Sequence, residues 1–205
     1  MNPRAWCLLL SVSLSGCVTL APERRYVVVP LAVSLTDPSI RWYDIGGDSR
    51  FALRDALDRA GPLDADGVRH DAHTDWFVTW HFPFVDEAQG CKLGPVNVTL
   101  RTSVTLPRWY ASASTDPELV ERWRDYLAAL WLHESGHRET GARAAGEIET
   151  LLPTLPAKES CVDAETAANE AAQGVLTRHR QADRDYDETT QHGAMQGATF
   201  SQFSY

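Results

Sequence analysis

Positive charge is scarce in this sequence. Lys and Arg together number 19 against 28 Asp and Glu, so the formal net charge is −9 at pH 7. A chain this acidic is repelled by nucleic acid phosphates, and no basic cluster offsets the balance. Binding to DNA or RNA is therefore not expected. With 43% hydrophobic and 23% charged residues, the composition also excludes a wholly disordered chain.

Long apolar runs are equally scarce, and the candidate targeting segment at the N-terminus is short. Arg4 precedes an apolar stretch that ends in Leu14-Ser15-Gly16-Cys17. This order is typical of an export signal, and its end resembles the bacterial lipobox, in which the cysteine after the cleavage point is lipidated. The predicted parts of the chain are a signal peptide at 1–17, a tether at 18–25 and one folded domain at 26–205.

The same segment predicts where the protein resides. Because Val rather than Asp follows Cys17, we expect an outer-membrane lipoprotein that faces the periplasm or the cell surface. No later segment is long and apolar enough to cross a bilayer. The expected contact with the membrane is therefore through the lipid anchor alone.

Four cysteines are few, and two of them belong to the N-terminal segment. Cys7 leaves with the predicted signal peptide and Cys17 takes the lipid, which leaves Cys91 and Cys161. An exported pair without other thiol partners predicts a disulfide between them. Such a bond would close a loop of about 70 residues and contribute on the order of 4 kcal/mol in the chain-entropy model.

Hydrophobic periodicity predicts an α+β fold. Alternating or β-branched side chains indicate strands at 26–35, 75–82 and 95–106, the last two as an antiparallel pair. Helical spacing indicates helices at 51–60, from Pro117 to about Leu152, and at 162–180. The polar segment at 61–73 predicts a loop, and the tail at 185–205, with few aliphatic residues, predicts an ordered loop or disorder. We therefore expect a small antiparallel sheet packed on a long helix and a second helix.

The long predicted helix carries the motif His133-Glu134-Ser135-Gly136-His137. Histidines four residues apart project from one face of a helix, so both imidazoles can reach one Zn²⁺. Glu134 lies beside that position, where a carboxylate can take a proton from water without binding the metal. Three ionisable side chains on the inward stripe of a helix are costly to bury without a function. His133 and His137 are thus the predicted zinc ligands, and Glu134 is the predicted general base.

A catalytic zinc site needs a third protein ligand. We favour His192, because its imidazole matches the first two ligands and because Gly193 allows the backbone to approach the long helix closely. Glu170 is the next candidate, and Asp187, Glu165 and His179 are further alternatives. Tyr186 is a candidate donor to the oxyanion of a tetrahedral intermediate, with a packing role as its alternative.

Many of these residues also belong to a family pattern. The pattern comprises Trp76, Trp80, Gly90-Cys91, Leu106-Pro107, Trp109, Trp123, the motif at 133–137, Cys161, and a closing run with Tyr186, Asp187, Thr190, His192, Gly193, Gln196, Gly197 and Ala198. Over about residues 26–200 the chain resembles a bacterial family of predicted secreted zinc-dependent proteases, formerly a domain of unknown function. The resemblance implies zinc peptidase chemistry but does not identify the substrate.

The expected protein is a lipid-anchored cell-envelope zinc metallopeptidase with a zincin-like fold. It would hydrolyse amide bonds of a protein or peptide with zinc-activated water, and Glu134 would serve as general base. A non-catalytic envelope module with structural zinc or no zinc is one alternative. A peptidoglycan amidase or endopeptidase, which would apply the same chemistry to another amide, is the second.

The disulfide provides the first test. Denatured, non-reduced mature protein should contain no titratable thiol at Cys91 or Cys161, and reduction should lower its melting temperature. Loss of a native disulfide typically costs about 2–5 kcal/mol, because the unfolded chain regains conformational freedom. Thiol titration with and without reductant, followed by calorimetry, gives the measurement. Two titratable thiols after isolation under oxidising conditions would contradict the pairing.

Overall fold

A computed structural model describes residues 25–26, 40–64, 66–87 and 90–201. The strands are β1 (Arg25–Tyr26), β2 (Ile40–Ile45), β3 (His73–His81), β4 (Phe84–Glu87), β5 (Gly90–Leu93) and β6 (Asn97–Ala111). The α-helices are α1 (Arg50–Ala60), α2 (Pro117–Leu151) and α3 (Cys161–Thr190), with short 3-10 turns at Leu152–Thr154 and Ala194–Gln196. The predicted α+β class is confirmed. The predicted signal peptide, nearly all of the tether and most of the strand predicted at 26–35 lie outside the described residues.

Strand β6 is the centre of the main sheet. Strand β3 pairs with it in antiparallel register, with Thr74 opposite Val104, which confirms the predicted pairing of these two segments. Strand β2 runs parallel to β6 on the other side and places Ile40 opposite the same Val104. The sheet is therefore mixed rather than wholly antiparallel. The connection from β2 to β6, through α1 and β3, is long enough to let these two strands run in the same direction.

A disulfide fastens the β4–β5 hairpin to the start of α3. Cys91 in β5 is bonded to Cys161, with the two Cα atoms 4.9 Å apart. The main chain supports the junction, because Cys91 and Lys158 exchange two backbone hydrogen bonds of 2.8 and 2.9 Å. The predicted disulfide is confirmed. The hairpin itself lies in the segment that the sequence analysis treats only as the connection between two strands.

Helix α2 is 35 residues long and begins where the sequence predicts. The side chain of Asp116 caps its N-terminus by accepting a hydrogen bond from the backbone N–H of Glu118. The N-terminal half packs with α1 and the sheet in an apolar core around Trp109 and Trp123. The C-terminal half packs with β3 and α3 in a second core around Ile148. The middle of α2 therefore lies between two apolar cores.

Helix α3 is longer than predicted. Its first half follows the predicted alanine-rich pattern, with Ala164, Ala168 and Ala172 buried in the second core. The helix continues to Thr190, ten residues beyond the predicted end, so the loop predicted from residue 185 is wrong over 185–190. The inward face of this extension is polar, and hydrophobic periodicity therefore gave no signal for it. Among the described residues, no helix combines the length and the hydropathy that crossing a membrane requires.

Two glycines in α2 test this packing. A Cβ atom at Gly141 would lie 2.9 Å from the Trp76 side chain, whereas a Cβ atom at Gly146 would meet nothing within 4 Å. We expect Gly141→Ala to lower the free energy of unfolding by about 1–3 kcal/mol through overpacking. Gly146→Ala, the matched control, should raise it by about 0.5–1 kcal/mol, because alanine is the better helix former. Urea unfolding measures both changes, and a Gly141→Ala protein as stable as the control would contradict the close contact.

Candidate metal centre

The middle of α2 is buried although it is polar. His133, Glu134 and His137 are exposed by only 4%, 3% and 7%. Ionisable side chains at this depth are destabilising unless they are paired or bind a metal. The partners of these three residues therefore decide what the site can do.

Three potential ligand atoms converge at this position. His133 Nε2 and His137 Nε2 are 3.2 Å apart. Asp187 Oδ1, from α3, lies 3.1 Å from the first nitrogen and 3.0 Å from the second. Two imidazoles and one carboxylate at these distances form a group that could hold a metal ion. The structure thus brings together the two histidines predicted as ligands.

The other ring nitrogens of both histidines have acceptor partners. His133 Nδ1 donates to Gln196 Oε1 at 3.0 Å, and His137 Nδ1 donates to Asp183 Oδ1 at 2.9 Å. In a neutral ring, each of these bonds leaves Nε2 with a lone pair rather than a hydrogen. Two lone pairs and a carboxylate oxygen then face one another, and they repel unless a proton or a metal ion lies between them. Such outer hydrogen bonds are typical of metal-binding histidines.

The spacing of the three atoms fits a tetrahedral metal ion. Ligands about 2.0–2.1 Å from an ion at tetrahedral angles lie about 3.3 Å from one another. The three separations of 3.0, 3.1 and 3.2 Å are close to that value. Two histidines and one carboxylate also leave a fourth position for water or substrate, as catalytic sites require. The residues present therefore fit a divalent metal ion.

In the metal-free protein a proton occupies this space. Burial lowers the pKa of His137, but hydrogen bonds to Asp183 and Asp187 outweigh it and raise this pKa to about 10. Burial raises the pKa of Asp187, whereas hydrogen bonds from His133 and His137 outweigh that effect and hold it well below its usual range. The resulting imidazolium–carboxylate pair stabilises the fold at neutral pH, and this stabilisation is lost as the pH rises through about 10. A metal ion at this position would have to displace the proton, so its binding would tighten as the pH rises.

Glu134 is separate from the ligand group. Its Oε2 atom accepts a 2.6 Å hydrogen bond from the buried Thr74 hydroxyl on β3. Burial raises the pKa of this carboxyl group, while the Thr74 hydrogen bond and the nearby histidines act in the opposite direction. A carboxylate with a raised pKa beside a metal site is suited to accept a proton during catalysis.

Tyr186 packs against the site. Its ring stacks on His133 with centroids 5.1 Å apart, and a Cβ atom at Gly136 would lie 2.5 Å from that tyrosine. The Tyr186 hydroxyl bonds to the carbonyl oxygen of His133 at 3.3 Å and to Gln196 Nε2 at 3.0 Å. The tyrosine is not among the residues that line the cavity described below. These contacts give the tyrosine a packing role, and its role as an oxyanion donor stays a prediction.

The structure brings Asp187, rather than His192, into the ligand group. His192 Nδ1 lies 3.6 Å from Asp187 Oδ1, and its side chain is 61% exposed. Gly193 does carry the backbone against α2 as expected, since a Cβ atom there would lie 2.9 Å from the ring of His133. This approach brings Gln196 to His133, where its Oε1 atom accepts the hydrogen bond from Nδ1.

The remaining candidates lie away from the ligands. Glu165 and Glu170 are exposed on α3, and His179 pairs with Glu147 at 2.8 Å. Two residues that the sequence analysis does not name, Thr74 and Asp183, contact the site instead. Asp183 precedes Asp187 by four residues, the same spacing that places His133 and His137 on one face of α2. This spacing was the feature of the sequence from which a second polar helix face beside the histidines could have been predicted.

The site opens into a cavity of about 470 Å³. Helices α2 and α3 form one wall, and Asp64 and the segment 68–74 contribute the other. Asp71 fixes that segment through an ion pair with Arg54 of α1 and a 2.6 Å hydrogen bond from the Tyr126 hydroxyl of α2. The Tyr43 hydroxyl donates to the main-chain carbonyl of Asp71 at 2.6 Å. A cavity of this volume lies in the range of small-ligand sites.

Comparison with known proteins identifies the family of the chain. A family model described as "Bacterial protein of unknown function (DUF922)" matches residues 40–193. The matched range contains the three members of the ligand group as well as Glu134 and Asp183. No curated protein matches the chain, and no solved structure matches it.

The third ligand can be tested on α3. We expect the wild type to bind one zinc ion per chain and Asp187→Ala to bind it more than about 100-fold more weakly. A residue that contacts the metal contributes more to its affinity than a residue that only hydrogen-bonds to a ligand. Asp185→Ala removes an exposed carboxylate from the same helix and should leave the affinity unchanged. Competition with a chromophoric chelator measures both affinities. Equal zinc binding by the wild type and Asp187→Ala would remove Asp187 from the ligand set.

Proposed function

Because this chain belongs to DUF922, a bacterial family of unknown function, we propose its function from the site: it is a zinc-dependent hydrolase that cleaves amide bonds in peptides. The observation that carries the proposal is the division of roles in the middle of α2. His133, His137 and Asp187 form the ligand group, while Glu134 stays outside this group and lines the same cavity. The site thus offers a metal position and a separate proton acceptor, which are the two requirements for hydrolysing an unreactive amide.

Zinc is the metal that this donor set supports best. Three ligands of imidazole and carboxylate type, near tetrahedral spacing and with a fourth position available, are typical of catalytic zinc sites. When bound, zinc would polarise the substrate carbonyl and lower the pKa of the attacking water. Asp183 and Gln196 would keep both imidazoles in the required tautomer and orientation.

Glu134 is the proposed general base. It takes a proton from water as the water oxygen adds to the carbonyl carbon, and it returns the proton to the leaving amine when the C–N bond breaks. The Thr74 hydroxyl holds Oε2 of this carboxylate at 2.6 Å, which leaves Oε1 as the atom that accepts the proton. The burial that raises the pKa of Glu134 strengthens it as a base.

We place this enzyme in the cell envelope, anchored to the outer membrane by a lipid on Cys17. The predicted signal peptide lies outside the described residues, but the Cys91–Cys161 disulfide supports export, because such bonds form in oxidising compartments. The substrate is a protein or peptide, with the peptide part of peptidoglycan as the alternative source of the same amide bond.

The rival function is a non-catalytic envelope module. A structural zinc site would have four protein ligands and no position for substrate. Among the described residues, the ligand group at this position has three members and borders a cavity. This observation favours catalysis.

Substitution of the base tests the proposal. Glu134→Gln should retain zinc, because Glu134 is not a ligand, and should reduce hydrolysis about 10²–10⁴-fold. Glu139→Gln, an exposed position on the same helix, is the matched control and should keep both properties. Zinc content is measured by mass spectrometry, and hydrolysis is measured on casein and, separately, on purified peptidoglycan.

Three outcomes would contradict the proposal. Wild-type activity in Glu134→Gln would show that another group is the base. Iron rather than zinc as the bound metal would indicate redox chemistry at a site of two histidines and one carboxylate. Absence of hydrolysis of both substrates by the zinc-loaded wild type would favour the non-catalytic module.

A further inference from the structure

His192 occupies an unusual place beside the ligand group. Its imidazole lines the cavity together with Glu134 and the three candidate ligands. The side chain is 61% exposed, and its Nδ1 atom lies 3.6 Å from Asp187 Oδ1, which is longer than a hydrogen bond. The ring therefore lies beside the candidate ligands and Glu134 without a hydrogen bond to Asp187.

The backbone at this position is strained. Gln191 and His192 have φ values of 52° and 51°, and Gly193 has a φ value of 82°. One left-handed residue is enough to end a helix, and Gln191 already serves as the C-cap of α3. A second non-glycine residue in this conformation is costly, and such residues cluster at functional sites. The strain at His192 is thus not explained by helix termination.

Both sides of His192 are anchored. The backbone N–H of His192 donates to the Asp187 carbonyl at 2.8 Å, and the next residue, Gly193, is packed against His133. The His70 ring lies 5.4 Å from the His192 ring across the cavity wall, and Asp64 holds His70 Nε2 at 2.8 Å. The chain therefore fixes the backbone from which this imidazole extends, as a catalytic donor requires.

The other donors that line the cavity have partners. Arg54 pairs with Asp71 and Asp58, and Arg69 donates to the carbonyl oxygen of Gly61. His70 is paired with Asp64. The nearest partner of His192 Nδ1 is Asp187 Oδ1 at 3.6 Å, and among the described residues no hydrogen bond is made by His192 Nε2, which is the nitrogen available to a substrate.

We infer that His192 is a catalytic residue that donates a hydrogen bond to the oxyanion of the tetrahedral intermediate, an inference that rests on the proposed function. When water adds to the carbonyl carbon, the π electrons move to the carbonyl oxygen and Glu134 takes the water proton. When the C–N bond breaks, the C=O bond re-forms and the amine leaves with the proton from Glu134. The N–H of His192 stabilises the negative charge between these steps and transfers no proton.

Three variants of the mature chain test this role. We expect His192→Ala to bind zinc with an affinity within about twofold of the wild type, because Asp187 and not His192 completes the ligand group. Its kcat on a casein-derived fluorogenic peptide should fall about 10²–10³-fold, the usual cost of one oxyanion donor, with KM nearly unchanged. His192→Gln keeps an N–H donor and should recover part of the loss. His81→Ala, an exposed histidine at the end of β3, should match the wild type.

A phosphinic analogue of the same peptide gives a readout independent of turnover. The analogue mimics the tetrahedral intermediate. Its affinity for His192→Ala should therefore be lower than its affinity for the wild type, by about the same factor as the fall in kcat. Loss of zinc from His192→Ala would make His192 a ligand and overturn the inference. An unchanged kcat, or a raised KM with an unchanged kcat, would overturn it as well. Hydrolysis by the wild type distinguishes these outcomes from a failure of the proposed function. If the proposed function is wrong, neither the wild type nor any variant cleaves the peptide, and the inference is overturned with it.

Discussion

The convergence of His133 Nε2, His137 Nε2 and Asp187 Oδ1 within 3.2 Å of one another is the constraint on which the rest of the structure depends. Their mutual repulsion in a buried space requires a positive charge, which a proton supplies in the metal-free protein and a metal ion would supply in the metal-bound one. The arrangement therefore survives only if α2 and α3 are held together by interactions elsewhere. The architecture provides these interactions at both ends of α2.

Each end of the long helix has its own apolar core, and each core restrains the polar middle. The core around Trp109 and Trp123 fixes the N-terminal half of α2 on the sheet. The alanine face of α3 packs closely in the second core, so the helix axes approach where side chains are small. Trp76 links the second core to the candidate metal site. It is part of that core, and its Nε1 donates to Asp183 at 3.1 Å. The orientation of His137 is thus set by the same residues that stabilise the fold.

The sequence predicted those parts of the site in which motif and hydrophobic pattern agree. The capped helix and its two histidines were predicted, because apolar side chains at helical spacing surround them. The last ten residues of α3 were missed for the opposite reason: their inward side chains are polar and face ligands rather than a core. The preference for His192 rested on its type of side chain and on the backbone freedom of Gly193, whereas the whole backbone at 191–193 decides where that side chain points. That conformation depends on contacts with α2 and has no local signal apart from Gly193.

The two walls of the cavity are held in place by different interactions. The candidate ligands belong to α2 and α3, whose relative position is set by the second core. The opposite wall depends on Asp71, which joins Arg54 of α1 and Tyr126 of α2 to the segment 68–74. Among the described residues, no hydrogen bond or ion pair joins Asp71 to His133, His137 or Asp187, and Thr74 is the residue of this wall that binds Glu134. Substitutions at 68–72 can therefore alter the shape and charge of the cavity without removing a candidate ligand. On the proposed function, substitutions in this loop would change the substrate that fits the cavity while the candidate ligands stay in place.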